Sequence, residues 1–149
     1  MTKKKNAVIG QSGGPTAAIN ATLAGVIAGC LAENELIDRI YGMRHGIEGF
    51  MKEEFVELND RFAENGEKEL ELLSLTPAAA LGSCRVKLKT EEQFEKIFSV
   101  LEKYEIGYFF YIGGNDSMDT ICKLSDYAKR VGSDIRFMGV PKTIDNDLM

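Results

Sequence analysis

The chain has 149 residues, 44% hydrophobic and 28% charged, enough apolar content to close one core around a sheet in a single soluble domain. Its 23 acidic residues outweigh 18 basic ones for a net charge of −5, and no basic run extends beyond Lys3-Lys4-Lys5, which excludes a nucleic-acid-binding face. Cys30, Cys84 and Cys122 are odd in number and form no CxxC pair, which excludes a disulfide framework or a zinc site and fits free thiols in the cytoplasm.

Ala7-Val8-Ile9 reads as a short strand that stops at Gly10. After GQSGGP the pattern turns helical to about Leu31, with Pro15 suited to the first helical turn. The apolar stretch Ala17 to Ala32 behind three lysines imitates a signal peptide. The polar residues Gln11 to Pro15 separate the two parts, however, Asn20 and Thr22 interrupt the run, and about 18 apolar residues are needed to span a membrane. No membrane partner is expected. Leu36 to Met43 reads as a second strand, and His45 to Phe50 as a loop turning at Gly46 and Gly49. Residues 51–75 show no decisive period, and Glu64 to Glu71 reads as a solvated face. Thr90 with Gln93 three residues later has the form of a helix start, and Phe94, Ile97, Phe98 and Leu101 follow at helical spacing to about Tyr104. Ile106 to Ile112, IGYFFYI, has the unbroken apolar character of a strand buried on both faces of a parallel sheet. It ends in Gly113-Gly114, a helical pattern through Met118, Ile121, Leu124 and Ala128 follows, and Ile135 to Val140 is a last strand that delivers the chain to PKTIDND.

Strands alternating with helices in this way predict a three-layer α/β/α sandwich with a mostly parallel sheet. In such sheets ligands bind outside the carboxyl ends of the strands, so the loops Gly10 to Pro15, Gly113 to Ser117 and Pro141 to Asp147 should meet at one rim. Gly13 and Gly14 can take positive φ and let backbone N–H groups approach an anion at a helix start. The spacing matches neither a P-loop nor GxGxxG, and a plain tight turn explains the same glycines. In an extended TIDND segment Thr143, Asp145 and Asp147 share a face, which gives two carboxylates, one to hold Mg²⁺ and one to accept a hydroxyl proton in phosphoryl transfer. A self-capped Asp/Asn turn is the alternative. Arg85, after Leu81-Gly82-Ser83, can clamp a phosphate or sit in an exposed salt bridge. His45, the sole histidine, has no Asp, Ser or Cys motif beside it to complete a triad.

Four motifs in order over Ile9 to Asp147, GQSGGPTAAINA, LGSCR, IGGNDS and PKTIDND, resemble the phosphofructokinase family. The resemblance implies phosphorylation of fructose 6-phosphate at its 1-hydroxyl with Mg²⁺, in glycolysis. It makes Asp145 the base and sets Thr143 and Ile144 on the sugar. Asp147 and Asn115 would serve the metal, while Gly13, Gly14, Gly114, Ser117 and Arg85 would contact the donor phosphates. Many ATP-using members carry GGDGS and PGTIDND, whereas Asp116 and Lys142 here resemble the pyrophosphate-dependent branch and are implicated in catalysis and donor choice. Asn115 departs from the family, standing where many members keep a magnesium-binding aspartate. Members also continue past TIDND and grip the sugar phosphate from there. Residues 1–149 are therefore expected to be the N-terminal donor-binding domain of a truncated chain, inactive alone and part of a homo-oligomer when full length. The rival expectations are an ATP-dependent enzyme and a catalytically silent phosphate-binding or regulatory module.

Overall fold

The computed structural model describes residues 3–63 and 65–142. The elements run β1 (Lys5–Gln11), α1 (Ala17–Ala32), β2 (Ile37–Met43), α2 (Gly46–Met51), β3 (Phe55–Glu57), α3 (Asn59–Ala63), α4 (Gly66–Leu75), α5 (Glu91–Lys103), β4 (Ile106–Gly113), α6 (Asn115–Val131) and β5 (Arg136–Pro141). They build a five-stranded sheet in the order β3-β2-β1-β4-β5, parallel throughout except for the short edge strand β3, which runs antiparallel to β2.

Side chains alternate across the sheet and so define two cores. Val8, Phe109 and Tyr111 face one layer, where Ile47 and Phe50 of α2, Ile97 and Leu101 of α5, and Ile121 and Leu124 of α6 close over them. Ala7, Ile9 and Ile112 face the other, covered by Ile19, Leu23 and Ile27 of α1, Phe62 of α3 and the half-buried Leu70 and Leu73 of α4. The result is the expected three-layer sandwich. Each fully buried large side chain, such as Phe50, Phe109 or Ile27, contributes about 1.5–3 kcal/mol relative to an exposed one.

Local signals set the boundaries. At the start of α5 the Gln93 Oε1 accepts from the Thr90 N–H at 3.1 Å and from the Lys89 N–H at 2.8 Å, which satisfies backbone donors that the helix leaves open. The first helix begins later than its proline suggests: Thr16 is still extended at φ −135° and caps a helix that starts at Ala17, so Pro15 belongs to the loop. The segment His45 to Phe50 is not a loop but contains α2, capped by His45 in the left-handed region at φ 54°. Its glycines serve packing as well as turning. A Cβ on Gly49 would lie 1.6 Å from the Arg44 carbonyl oxygen, so only glycine lets this short helix fold back on its own entry. Residues 51–75 resolve into β3, α3 and α4. No side chain of α4 is fully buried, in keeping with a solvated face, and α4 packs mainly on α1.

Candidate functional site

From β1 the chain crosses to α1 on one face of the sheet, and from β4 it crosses to α6 on the other. The loops leaving these adjacent strands therefore diverge, and a crevice opens between them at the carboxyl rim. A cleft of about 380 Å³ lies there. Ser12, Gly13 and Gly14 after β1 form one wall, Cys84, Arg85 and Val86 a second, and Gly114 to Ser117 with Thr120 a third, while Lys142 after β5 completes the rim. The cleft thus gathers Gly13, Gly14, Arg85, Gly114, Asn115, Asp116, Ser117 and Lys142, all singled out in the sequence. Thr143, Ile144, Asp145 and Asp147 lie outside the described residues.

Hydrogen bonds stitch the first two walls together. Ser12 Oγ donates to the Cys84 carbonyl at 3.2 Å, the Gly13 N–H to the same carbonyl at 3.3 Å, and Ser83 Oγ to the Gly13 carbonyl at 2.6 Å. Gly13 takes φ +79°, a conformation that costs other residues strain. Its N–H is engaged by Cys84, so the turn can offer an anion the Gly14 N–H rather than that of Gly13. The third wall approaches closely because Gly113 has no side chain: a Cβ there would meet Ser117 Oγ at 2.1 Å and the Ser12 carbonyl oxygen at 2.9 Å. Behind Gly114 the 17-residue helix α6 presents its N-terminus, whose open N–H groups and dipole favour negative charge.

The charged groups divide by partner. The Lys142 backbone N–H donates to the Gly113 carbonyl at 2.9 Å and continues the β4–β5 ladder, while its ammonium donates to the Gly14 carbonyl across the cleft. Arg85 is exposed and forms no salt bridge among the described residues. Asp116 pairs with Lys87 at 3.0 Å. Beneath the floor, the buried Tyr111 hydroxyl accepts from the Ile47 N–H at 3.2 Å and lies 3.6 Å from Cys84 Sγ. Burial pushes its phenol pKa up, so it stays neutral and ties the floor to α2.

Three contributors escaped the sequence reading. Gln11 and Asn20 are fully buried: Gln11 Nε2 donates to Asn20 Oδ1 at 2.9 Å, Gln11 Oε1 accepts from the Leu81 N–H at 2.9 Å, and Asn20 Nδ2 donates to the Thr76 and Ala78 carbonyls. This network anchors the segment that leads to Arg85. The amide of Asn20 inside an otherwise apolar helix was the available signal, because a buried amide needs partners. Lys87, the third, had only its closeness to Arg85 to mark it. His45 stands apart from the cleft groups, with its ring against Gly82, where a Cβ would lie 2.5 Å from Nδ1.

A family model described as Phosphofructokinase matches residues 6–149. The pyrophosphate–fructose 6-phosphate 1-phosphotransferase of Xanthomonas campestris pv. campestris is 43% identical over 147 residues, covering 96% of this chain and 34% of that protein. The enzyme of the same name from Rhodospirillum rubrum is 41% identical over 146 residues, covering 98% and 35%. The crystal structure of a pyrophosphate-dependent phosphofructokinase from Nitrosospira multiformis matches with a TM-score of 0.87 and 42% identity over 97% of this chain and 35% of that one. The chain spans about a third of the length of these relatives. With the described residues of the family's motifs converging on one cleft at the switch point of a parallel sheet, and with a family match over nearly its whole length, the chain belongs to the phosphofructokinase family.

Proposed function

We propose that residues 1–149 are the donor-binding N-terminal domain of an enzyme that transfers a phosphoryl group from pyrophosphate to the 1-hydroxyl of fructose 6-phosphate, in cytoplasmic glycolysis and as a homo-oligomer. The observation that carries this reading is the position of Lys142, whose ammonium reaches across to the Gly14 carbonyl. In this reading the lysine stem would stand beside the glycine turn where a nucleotide's α-phosphate and sugar would otherwise lie. Its cation suits a bare diphosphate. The names of the relatives at about 40% identity point to the same donor.

In this reading Asp145 takes the proton of the attacking hydroxyl, and Thr143 and Ile144 orient the sugar. Arg85, Lys142 and the N–H groups of Gly14 and the α6 terminus, beside Gly114 and Ser117, receive the charge that moves onto the departing phosphate. Mg²⁺ typically binds through one or two carboxylates together with substrate phosphates, which asks for no protein cage, and no cluster of three metal-binding side chains occurs among the described residues. Asn115, exposed on the cleft wall, would offer only a neutral amide oxygen, which holds a hard cation more weakly than the carboxylate many members keep there, and Asp147 would supply the carboxylate. When bound, the ion would neutralise charge on the donor.

The test assays the complete enzyme with pyrophosphate and with ATP, beside Lys142→Gly and Asp145→Asn. Turnover with pyrophosphate is expected to exceed that with ATP. Lys142→Gly should depress pyrophosphate turnover, and Asp145→Asn should lower kcat by about 10² or more with little change in KM. A preference for ATP, or full pyrophosphate turnover in Lys142→Gly, overturns the donor. A loss in Asp145→Asn confined to KM moves the base elsewhere.

A further inference from the structure

We propose that Lys87 sets the length of polyphosphate the cleft accepts, and that Asp116 acts on donor choice by holding Lys87 rather than by repelling a third phosphate itself. This rests on the pyrophosphate reading above. Lys87 stands two residues beyond Arg85, just past the second wall and outside the cleft lining, and Asp116 lies in the first turn of α6 on the third wall. Their 3.0 Å ion pair therefore ties the segment just beyond the second wall to the third wall. The side chains are 55% and 77% exposed, whereas Ser117 deeper in the same cleft is 2% exposed, so the pair sits at the mouth.

The cations around the cleft are not equivalent. Among the described residues Arg85 has no carboxylate partner and Lys142 donates to the neutral Gly14 carbonyl, so neither charge is neutralised there. Among the described residues around the cleft, Lys87 is the cation paired with a carboxylate. Two phosphoryl groups can be served by Arg85, Lys142 and the α6 terminus. A third, reaching toward the mouth, would need Lys87, whose charge Asp116 has already claimed. An exposed ion pair and an exposed like-charge repulsion are of similar size, so magnitude does not choose between sequestration and direct repulsion. The two accounts differ in what they require of Lys87. If Asp116 merely repels, removing it helps a longer donor whatever stands at position 87. If Asp116 withholds a cation, the benefit exists only while Lys87 is present. Exposure of both partners also suits a contact that must exchange with ligand, and makes it sensitive to salt.

The experiment is a double-mutant cycle on the complete enzyme with wild type, Asp116→Asn, Lys87→Met and the double variant. The ratio of kcat/KM for tripolyphosphate to that for pyrophosphate is measured alongside the affinity for tripolyphosphate by calorimetry. Asp116→Asn is expected to raise the ratio by about fivefold, the scale of one exposed ion pair, and the double variant to lose most of that gain. Lys87→Arg in the Asp116→Asn background should keep it, and raised salt should shrink it. A double variant that retains the whole gain, or an Asp116→Asn variant with none, overturns the assignment of Lys87 while leaving pyrophosphate as the donor. A wild type that turns over ATP faster than pyrophosphate overturns the donor reading and this proposal with it.

Discussion

The two rims of the sheet carry opposite chemistry, and the larger hollow is the one without the motifs. At the amino rim a cavity of about 680 Å³ is lined by Glu95, Glu102, Glu105 and Asp134, with Lys5 as its one cation, and by the C-terminal end of α6 at Val131 and Gly132. The carboxyl rim holds the cleft of about 380 Å³, with Arg85 and Lys142 in its walls and Lys87 paired to Asp116 at its mouth. Parallel strands cause the sorting. Each parallel strand that leads into a helix delivers its N-terminus to the carboxyl rim, and each helix that leads into a parallel strand leaves its carbonyls at the amino rim, the antiparallel edge strand β3 being the exception, so the backbone favours anions at one end and disfavours them at the other. The charged side chains reinforce this polarity, and a chain of net charge −5 still presents a cationic pocket. Size is a poor guide to the site here, and chain direction is a good one.

Breaking the backbone geometry at each rim should show the largest contrast. Gly113→Ala would drive a Cβ into Ser117 Oγ at 2.1 Å and the Ser12 carbonyl at 2.9 Å, forcing apart the two loops that frame the cleft. Loss of about 3 kcal/mol is expected, the upper range for overpacking, together with loss of anion binding. At the amino rim Gly132 caps α6 at φ +69° with nothing within 4 Å of an added Cβ. Gly132→Ala should therefore cost only the left-handed strain, about 1 kcal/mol. Denaturant unfolding of both variants measures the difference, and equal losses would mean that the carboxyl rim is not closely packed.

A smaller effect should follow from charge. Arg85→Ala in the complete enzyme is expected to raise KM for pyrophosphate by about tenfold or more, the loss of one hydrogen bond to a charged group, whereas Lys5→Ala at the opposite rim should leave KM where it was. Comparable shifts from both would show that the enzyme responds to overall charge rather than to a built site.

Much of this contrast is legible without coordinates, for definite reasons. The run IGYFFYI and the glycines after it announce a buried strand and a close turn, because few other structures tolerate an almost unbroken apolar and aromatic run followed by Gly113-Gly114. Parallel topology then places the loops on one rim. The helix α2 was hidden because Gly46 and Gly49 look like turn residues, while Gly49 is required by its contact with the Arg44 carbonyl, a constraint that no local pattern carries. Likewise Asn20 marks itself as an interruption in an apolar helix but cannot name Gln11, Thr76 and Ala78 as its partners. The pairing of Lys87 with Asp116 joins distant segments, and only the fold brings them together.

The smallest expected effect concerns acid, and it belongs to the side of the molecule away from the cleft. Among the described residues the carboxyls held below their usual range are Glu53 by its hydrogen bond to Lys103, Glu48 by Lys52 and Glu105 by Lys3, all outside the cleft walls. Glu53 is the most connected: it accepts from Lys103 and from the Tyr104 hydroxyl at 3.1 Å, lies 3.6 Å from Lys96, and is itself in the left-handed region at φ 61°. A carboxyl with a depressed pKa in the folded state contributes stability above its unfolded pKa and loses it as pH falls through the folded value. Glu53→Gln should therefore lower Tm at neutral pH by on the order of 2 °C, the scale of a solvent-screened pair, and the gap to wild type should close as pH falls through the depressed folded-state pKa of Glu53. Tyr104→Phe, which keeps the ring but removes one donor to Glu53, should reproduce part of the neutral-pH loss. Thermal unfolding across this range reads both. A gap that stays constant with pH would mean that Glu53 acts through its backbone conformation at the end of α2, and not through the charge it presents to α5.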